Sequence, residues 1–150
     1  MKVRDFMITK VFTVKSSTTI KDLLYVLQSN RIGGVPVVDD KEQLIGMVSD
    51  GDVIRYLTPK PLGIAGIVFL IEDGELEDVL REKLDTPVKE IMTKRNVIFV
   101  SPDEDFESTM RLLSKNRFKK LPVVNRAGRV VGVLSRGDII KSITKKILIS

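Results

Sequence analysis

A serine followed three residues later by an aspartate occurs twice in this chain, each time after a short apolar stretch. The two pairs are Ser49 with Asp52 and Ser135 with Asp138. A carboxylate at the start of a helix offers two oxygens to adjacent hydroxyls, such as those of a ribose, and the N–H groups of the first helical turn can contact a phosphate. The same spacing also predicts a capping box, in which the serine is the N-cap. The spacing leaves both roles open, and the two roles are compatible.

The two pairs belong to an internal duplication with an offset of 86 residues, the separation of Ser49 from Ser135. At this offset residues 14–57 align with residues 100–143 without a gap, and nearly all mismatches keep their apolar or polar class. Further identical pairs include Asn30/Asn116, Arg31/Arg117, Pro36/Pro122, Val37/Val123, Val38/Val124, Gly46/Gly132 and Gly51/Gly137. A unit of this size buries little surface alone. We therefore expect two units that pack sheet against sheet about a pseudo-twofold axis.

Each unit has the pattern of a β-α-β-β-α repeat in the α/β (α+β) class. The elements predicted for the first unit are a strand at 11–14, a helix with an apolar face from Ile20 to Leu27, strands at 35–38 and 44–48, and a helix from Asp52. The second unit predicts strands at 97–100, 121–124 and 130–134 and a final helix from Asp138. Its first helix is predicted to begin with Ser101 as N-cap, Pro102 at the first position and Glu104 at the third.

These patterns predict a first repeat at 1–57, a second repeat at 88–150 and an insert at 58–87 that matches neither. The insert contains an apolar run at 62–71 and then an amphipathic helical pattern at 72–84. Its seven acidic residues outnumber its three basic ones, so its net charge is −4. The insert is interpreted either as a connecting helix packed on the repeats or, through its apolar run, as a contact with a partner or a second copy.

The composition excludes several classes of chemistry. Cysteine and histidine are both absent, so disulfides, thiolate nucleophiles, Cys/His metal sites and an imidazole base are excluded. The chain also lacks the glycine-rich phosphate loop and the dinucleotide-binding fingerprint. We therefore predict that the protein is not an enzyme and has no metal site.

The charge and hydropathy patterns bear on partners and location. The net charge is +5, and with the insert at −4 the remainder carries +9, but no block rich in lysine and arginine occurs. Direct nucleic-acid binding is therefore disfavoured. The longest apolar run has 10 residues, whereas a bilayer span needs about 20. Because the N-terminus has no apolar signal segment, we expect a cytoplasmic protein without a membrane partner.

The tandem β-α-β-β-α order, the Val-Pro-Val-Val strand at 35–38 with its counterpart at 121–124, and the two Gly-x-x-Ser-x-x-Asp ends resemble a pair of cystathionine-β-synthase (CBS) domains, or Bateman module. The resemblance implies a regulatory module that binds an adenosine compound such as AMP, ADP, ATP or S-adenosylmethionine, with no other cofactor. It also implies flat units that pair as homodimers and act on an effector protein that the sequence does not identify.

The resemblance further implies two ligand sites, each built from the Ser and Asp of one repeat and the lead strand of the other. The first implied site contains Ser135, Asp138, Arg136, Lys119, Lys120, Thr9, Val11, Phe12, Ile32 and Gly33. The second implied site contains Ser49, Asp52, Thr93, Ile98, Phe118 and Lys119. Core packing remains the alternative role for Phe12, Ile32 and Phe118, and a solvated loop remains the alternative for the two lysines.

The two implied sites differ in charge. Three cations, Lys119, Lys120 and Arg136, are assigned to the surroundings of Asp138, whereas two glycines and an acid occupy the corresponding places near Asp52. A carboxylate repels a phosphate unless cations lie nearby. We therefore expect the Asp138 site to favour a phosphorylated ligand, and the Asp52 site to take a less anionic adenosine compound or none.

The sequence thus predicts a stand-alone sensor of adenosine nucleotides. One alternative is a ligand-free interaction or dimerisation module, in which the Ser-x-x-Asp pairs only cap helices and no cleft lies beside the aspartates. The other is a nucleic-acid-binding regulator, which strong salt-dependent retention on DNA or RNA would support.

Overall fold

The computed structural model describes residues 1–59, 75–115 and 119–149. The predicted site residue Phe118 and the apolar run at 62–71 lie outside the described residues. Of the helices in the described ranges, none combines the length and the apolar content that a bilayer span requires.

The first repeat has the predicted order of elements. These are β1 (Val14–Lys15), α1 (Ile20–Asn30), β2 (Gly34–Val38), β3 (Leu44–Ser49) and α2 (Asp50–Leu57). Strand β1 runs parallel to β2, and β2 runs antiparallel to β3. The first strand is shorter than predicted, because Val14 is the only residue of 11–14 that pairs with β2. Arg31 caps the C-terminus of α1 in a left-handed conformation with φ of 53°.

The insert and the second repeat supply the remaining elements. These are α3 (Glu75–Lys83), α4 (Phe106–Ser114), β4 (Lys120–Val124), β5 (Val130–Ser135), α5 (Arg136–Ile143) and a π-helical turn (Thr144–Ile149). Strands β4 and β5 are antiparallel. Val100 forms a parallel bridge to Val123, which repeats the pairing of Val14 with Val37 at the 86-residue offset. The α/β fold with two sheets is confirmed, although the strand predicted at 97–100 is reduced to this bridge.

The start predicted for the first helix of the second repeat is wrong. Helix α4 begins after Asp105 as its N-cap, four residues beyond Ser101. Residues 101–104 form a turn in which the Glu104 N–H donates to the Ser101 carbonyl at 3.1 Å. The Glu104 carbonyl accepts a hydrogen bond of 2.9 Å from the N–H of Val3. The N-terminal segment thus uses a backbone acceptor that the predicted helix would have needed.

We call the residues before the first strand of each repeat, 3–13 and 88–99, its lead segment. Each repeat packs around its own apolar core, and each core includes a residue from the lead segment of the other repeat. Val88, the first residue of the second repeat, is buried with Leu23 and Val35 of the first. Val3 is buried with Leu121 and Leu134 of the second. The two lead segments are therefore exchanged between the repeats, which ties the cores together.

Backbone bridges between the repeats follow a pseudo-twofold arrangement. Gln43 and Arg129, which are equivalent at the 86-residue offset, form an antiparallel bridge with each other. A bridge between equivalent residues is what a twofold axis through that point requires. Two further bridges join β3 to the second lead segment, through Met47 and Thr93, and β5 to the first, through Ile8 and Val133.

Candidate functional site

The start of α2 is a complete capping box. The Ser49 hydroxyl accepts a hydrogen bond from the Asp52 N–H at 3.3 Å, and Oδ2 of Asp52 accepts from the Ser49 N–H at 2.9 Å. The other carboxylate oxygen, Oδ1, accepts from the Arg55 guanidinium at 2.7 Å. The Asp52 side chain is only 17% exposed, whereas that of Arg55 is 72% exposed. The carboxylate is therefore held in place by backbone, while its cationic partner can move.

The start of α5 repeats this capping box. Oδ2 of Asp138 accepts from the Ser135 N–H at 2.8 Å and from the Ser135 hydroxyl at 3.0 Å. Among the residues described, no hydrogen bond to Oδ1 of Asp138 is formed. The capping role that the sequence left open is thus present in both repeats, and one carboxylate oxygen of each aspartate faces away from the cap.

Ser135→Ala is expected to lower the free energy of unfolding by about 1 kcal/mol, because N-cap serines contribute roughly 0.5–2 kcal/mol. Chemical denaturation measures the change. Ser135→Asp is the matched control, since an aspartate restores an N-cap acceptor and should recover most of the loss. Equal losses in both variants would contradict the capping role.

A cleft of about 580 Å³ lies beside the α2 capping box and between the two repeats. The first repeat contributes the start of β2, the end of β3 and the start of α2, and the second contributes its lead segment and the start of β4. The residues that line it are Gly33, Gly34, Met47, Val48, Ser49, Asp50, Gly51, Asp52, Arg55, Thr93, Asn96, Val97, Ile98, Lys119, Lys120 and Leu121. The structure therefore brings together the described members of the second predicted site. We call this space the Asp52 cleft.

Some lining residues were not anticipated from the sequence. Arg55 lies one helical turn from Asp52, and this i, i+3 spacing was a usable signal. Asp50 also lines the cleft, and its Oδ1 accepts a hydrogen bond from the Gly51 N–H at 2.7 Å. Asn96 lines it with a positive φ of 53°, a conformation that asparagine tolerates better than most residues. Tertiary packing alone brings Asn96 to this wall.

The residues implied for the first site are more dispersed. Gly33 lines the Asp52 cleft, Ile32 lines a groove beside α1, and both Ile32 and Phe12 pack against the first core. Thr9 is exposed and Val11 is half-buried. Phe12 thus has its alternative role, which is core packing.

Arg136 does not have the role that the sequence assigned to it. Its guanidinium donates to the carbonyls of Leu113 at 3.0 Å and Lys115 at 2.9 Å. These carbonyls end helix α4, where backbone acceptors lack helical partners and attract cations. Arg136 is therefore committed to the fold and is not a free cation beside Asp138.

Lys120 lies between the two aspartate sites. Its backbone pairs with Ser135 in the β4–β5 ladder, and its ammonium donates to the Gly34 carbonyl in the first repeat at 3.2 Å. Burial lowers the pKa of Lys120, and the nearby carboxylate of Asp138 opposes this shift. The sequence assigned Lys120 to the Asp138 site. The structure places it in the wall of the Asp52 cleft as well, because the side chain crosses to the other repeat.

The expectation of few cations beside Asp52 is therefore wrong, although the carboxylate of Asp138 also acts on Lys120. Lys119, Lys120 and Arg55 all line the Asp52 cleft, while Arg136 is bound to the end of α4. The site that the sequence ranked as poorer in positive charge is the one with three cations in its walls.

The comparison with known families decides the identity of the fold. The CBS-domain profile matches residues 3–59 and 88–145. The chain belongs to the CBS-domain family. This CBS pair is similar to CBSX2 of Arabidopsis thaliana, whose crystal structure has a TM-score of 0.77 and 31% identity over 96% of this chain and 94% of that one. A crystal structure of CBSX2 in complex with AMP has a TM-score of 0.73 and 30% identity, and each chain is covered to 96%.

Curated relatives match over most of this chain. The MJ1426 protein of Methanocaldococcus jannaschii is 28% identical over 155 residues, which cover 95% of this chain and 91% of that protein. Other relatives are longer: this CBS pair spans 62% of chloroplastic CBSX2 and 41% of the MJ1225 protein of Methanocaldococcus jannaschii. The tandem CBS fold expected from the sequence is confirmed.

Proposed function

We propose that this CBS pair is a regulatory module that binds an adenosine nucleotide in the Asp52 cleft. The observation that carries the proposal is a cleft between the repeats that combines a backbone-held carboxylate with three cations. A volume of about 580 Å³ lies within the range of small-molecule sites. The complex of CBSX2 with AMP, a structure 30% identical to this chain, supports AMP as the first ligand to test.

The chemistry of the cleft matches a nucleoside phosphate. The ribose hydroxyls would donate to Oδ1 of Asp52 and displace the exposed guanidinium of Arg55, which then becomes available to the phosphate. Lys119 and Lys120 supply further positive charge from the opposite wall. Ile98 offers an apolar surface for the base. A phosphate is favoured here because these cations offset the negative charge of the aspartates.

Asp52→Asn is expected to weaken AMP binding about tenfold. A hydrogen bond to a charged group contributes about 1.5–3 kcal/mol and one to a neutral group about 0.5–1.5 kcal/mol, so the loss of charge corresponds to about one power of ten. Isothermal titration calorimetry with AMP, ADP, ATP, S-adenosylmethionine and adenosine measures this.

The matched control is Asp138→Asn, the equivalent change in the other capping box, which should not weaken binding in the Asp52 cleft. Both amides keep an oxygen that can accept from the serine N–H, so the caps remain. Absence of binding for every compound would refute the proposed function. It would favour the ligand-free interaction module, in which the two capping boxes only stabilise their helices.

The ligand-bound module would act on a partner protein through its surface. Because the chain has neither histidine nor cysteine, we propose a sensor without catalytic activity.

Ile54 on α2 and Ile140 on α5 are equivalent at the 86-residue offset and are 63% and 61% exposed. Two exposed apolar residues related by a pseudo-twofold axis suit a symmetric contact with a second copy. We therefore propose a homodimer, and a monomeric mass at all concentrations in analytical ultracentrifugation would exclude it.

A further inference from the structure

Lys120 has no counterpart of its kind in the first repeat. The position equivalent to it at the 86-residue offset is Gly34, and the Lys120 ammonium donates to the carbonyl of that same glycine at 3.2 Å. In the two sheets, Gly34 pairs with Ser49 and Lys120 pairs with Ser135. The lysine side chain therefore reaches from the residue beside one capping serine to the residue beside the other.

This path places one ammonium in the wall of the Asp52 cleft and on the strand beside the Asp138 capping box. Toward the first repeat, Lys120 lines the Asp52 cleft. Toward the second repeat, Lys120 pairs with Ser135, whose N–H and hydroxyl hold the carboxylate of Asp138. The charge of that carboxylate opposes the lowering of the Lys120 pKa by burial. The ammonium is half-buried, and the interaction of charges is screened less there than in open solvent. A single flexible cation thus faces both aspartate sites, whereas the equivalent residue, Gly34, has no side chain and no charge.

We propose that Lys120 is shared by the two sites, so that a phosphate in the Asp52 cleft and the carboxylate of Asp138 compete for one ammonium. The proposal rests on the proposed nucleotide binding in the Asp52 cleft. An anionic ligand there draws Lys120 away from Asp138 and from the Gly34 carbonyl. The surroundings of Asp138 then become more negative and favour a neutral or positively charged ligand over a second anion.

The competition predicts an effect across the molecule. Asp138→Asn removes the competing charge and keeps the capping oxygen, so AMP should bind the Asp52 cleft about threefold to tenfold more tightly than in the wild type. Adenosine, which has no phosphate, should show no gain. In the Lys120→Met background AMP binding is weaker, and Asp138→Asn should give no further change.

The matched control is Lys119→Met, a neighbouring lysine in the same cleft that should weaken AMP binding but leave the gain from Asp138→Asn intact. Lys120→Gln serves as a second variant, because its amide can still donate to Gly34 without a charge. Calorimetry on all single and double variants, with thermal unfolding to verify folding, completes the cycle.

The outcomes separate the two proposals. If AMP binds but Asp138→Asn gives no gain, or gives the same gain without the Lys120 charge, the shared cation is disproved and the proposed function stands. If AMP and the other nucleotides do not bind the wild type, the proposed function fails and the shared cation fails with it.

Discussion

Leu134→Ala is expected to lower the free energy of unfolding by about 2–5 kcal/mol, the range for removing a fully buried leucine side chain. Leu134 is 0% exposed and belongs to the second core, together with Val3 from the exchanged lead segment and Leu121 of β4. Alanine would leave a cavity that strands β4 and β5 cannot fill without breaking their ladder. Urea denaturation followed by circular dichroism measures the loss.

A matched leucine provides the control. Leu148, in the π-helical turn, is 73% exposed, and exposed substitutions usually change stability by less than about 0.5 kcal/mol. Because Leu134 directly precedes Ser135, a weakened β5 should also loosen the capping box of α5. A change below 1 kcal/mol for Leu134→Ala would contradict the assignment of this residue to a tightly packed core.

Gly46→Ala is expected to cost about 1–3 kcal/mol, the range for inserting a methyl group into a packed interior. A Cβ atom at this position would lie 2.8 Å from the Thr93 carbonyl oxygen and 3.0 Å from the Met92 sulfur. The thioether can rotate away, but the carbonyl belongs to backbone that is fixed by hydrogen bonds to Met47 of 2.8 and 2.9 Å. The lead segment must therefore move away from β3.

The substitution also tests the link between packing and the proposed ligand site. Thr93 and Ile98 line the Asp52 cleft, so displacement of this segment should weaken AMP binding along with stability. Gly137→Ala is the matched control, because the nearest atom to an added Cβ is the Ser135 hydroxyl at 3.7 Å, an ordinary contact. Loss of stability equal to that of Gly46→Ala would show that steric overlap with Thr93 is not the cause.

The parts of the molecule that depend on short-range interactions were predictable from the sequence. The capping boxes at Ser49 and Ser135 involve residues three apart, and their hydrogen bonds form as the spacing indicates. The helix predicted from Ile20 on its apolar face also forms, as α1. Because the same local patterns recur at an offset of 86 residues, the order of elements and the duplicated fold were also predictable.

The predictions from local sequence failed where a distant segment forms hydrogen bonds with the same groups. Ser101 carries the signal for a helix start, but the backbone of the N-terminal segment takes the Glu104 carbonyl, and α4 begins later. Arg136 carries the signal for a ligand-binding cation, but the carbonyls at the end of α4 hold it. In both places a hydrogen bond between residues more than 20 positions apart outweighed the local pattern.

The sequence by itself thus determined two Ser-x-x-Asp helix starts in a duplicated fold, because helix caps and strand patterns are local. Only the tertiary structure decided which aspartate has cations around it. The side chain of Lys120 crosses the pseudo-twofold axis to the glycine at its own equivalent position, and that direction depends on the packing of the two repeats. The ammonium of Lys120, which the sequence assigned to Asp138 alone, therefore also lines the Asp52 cleft.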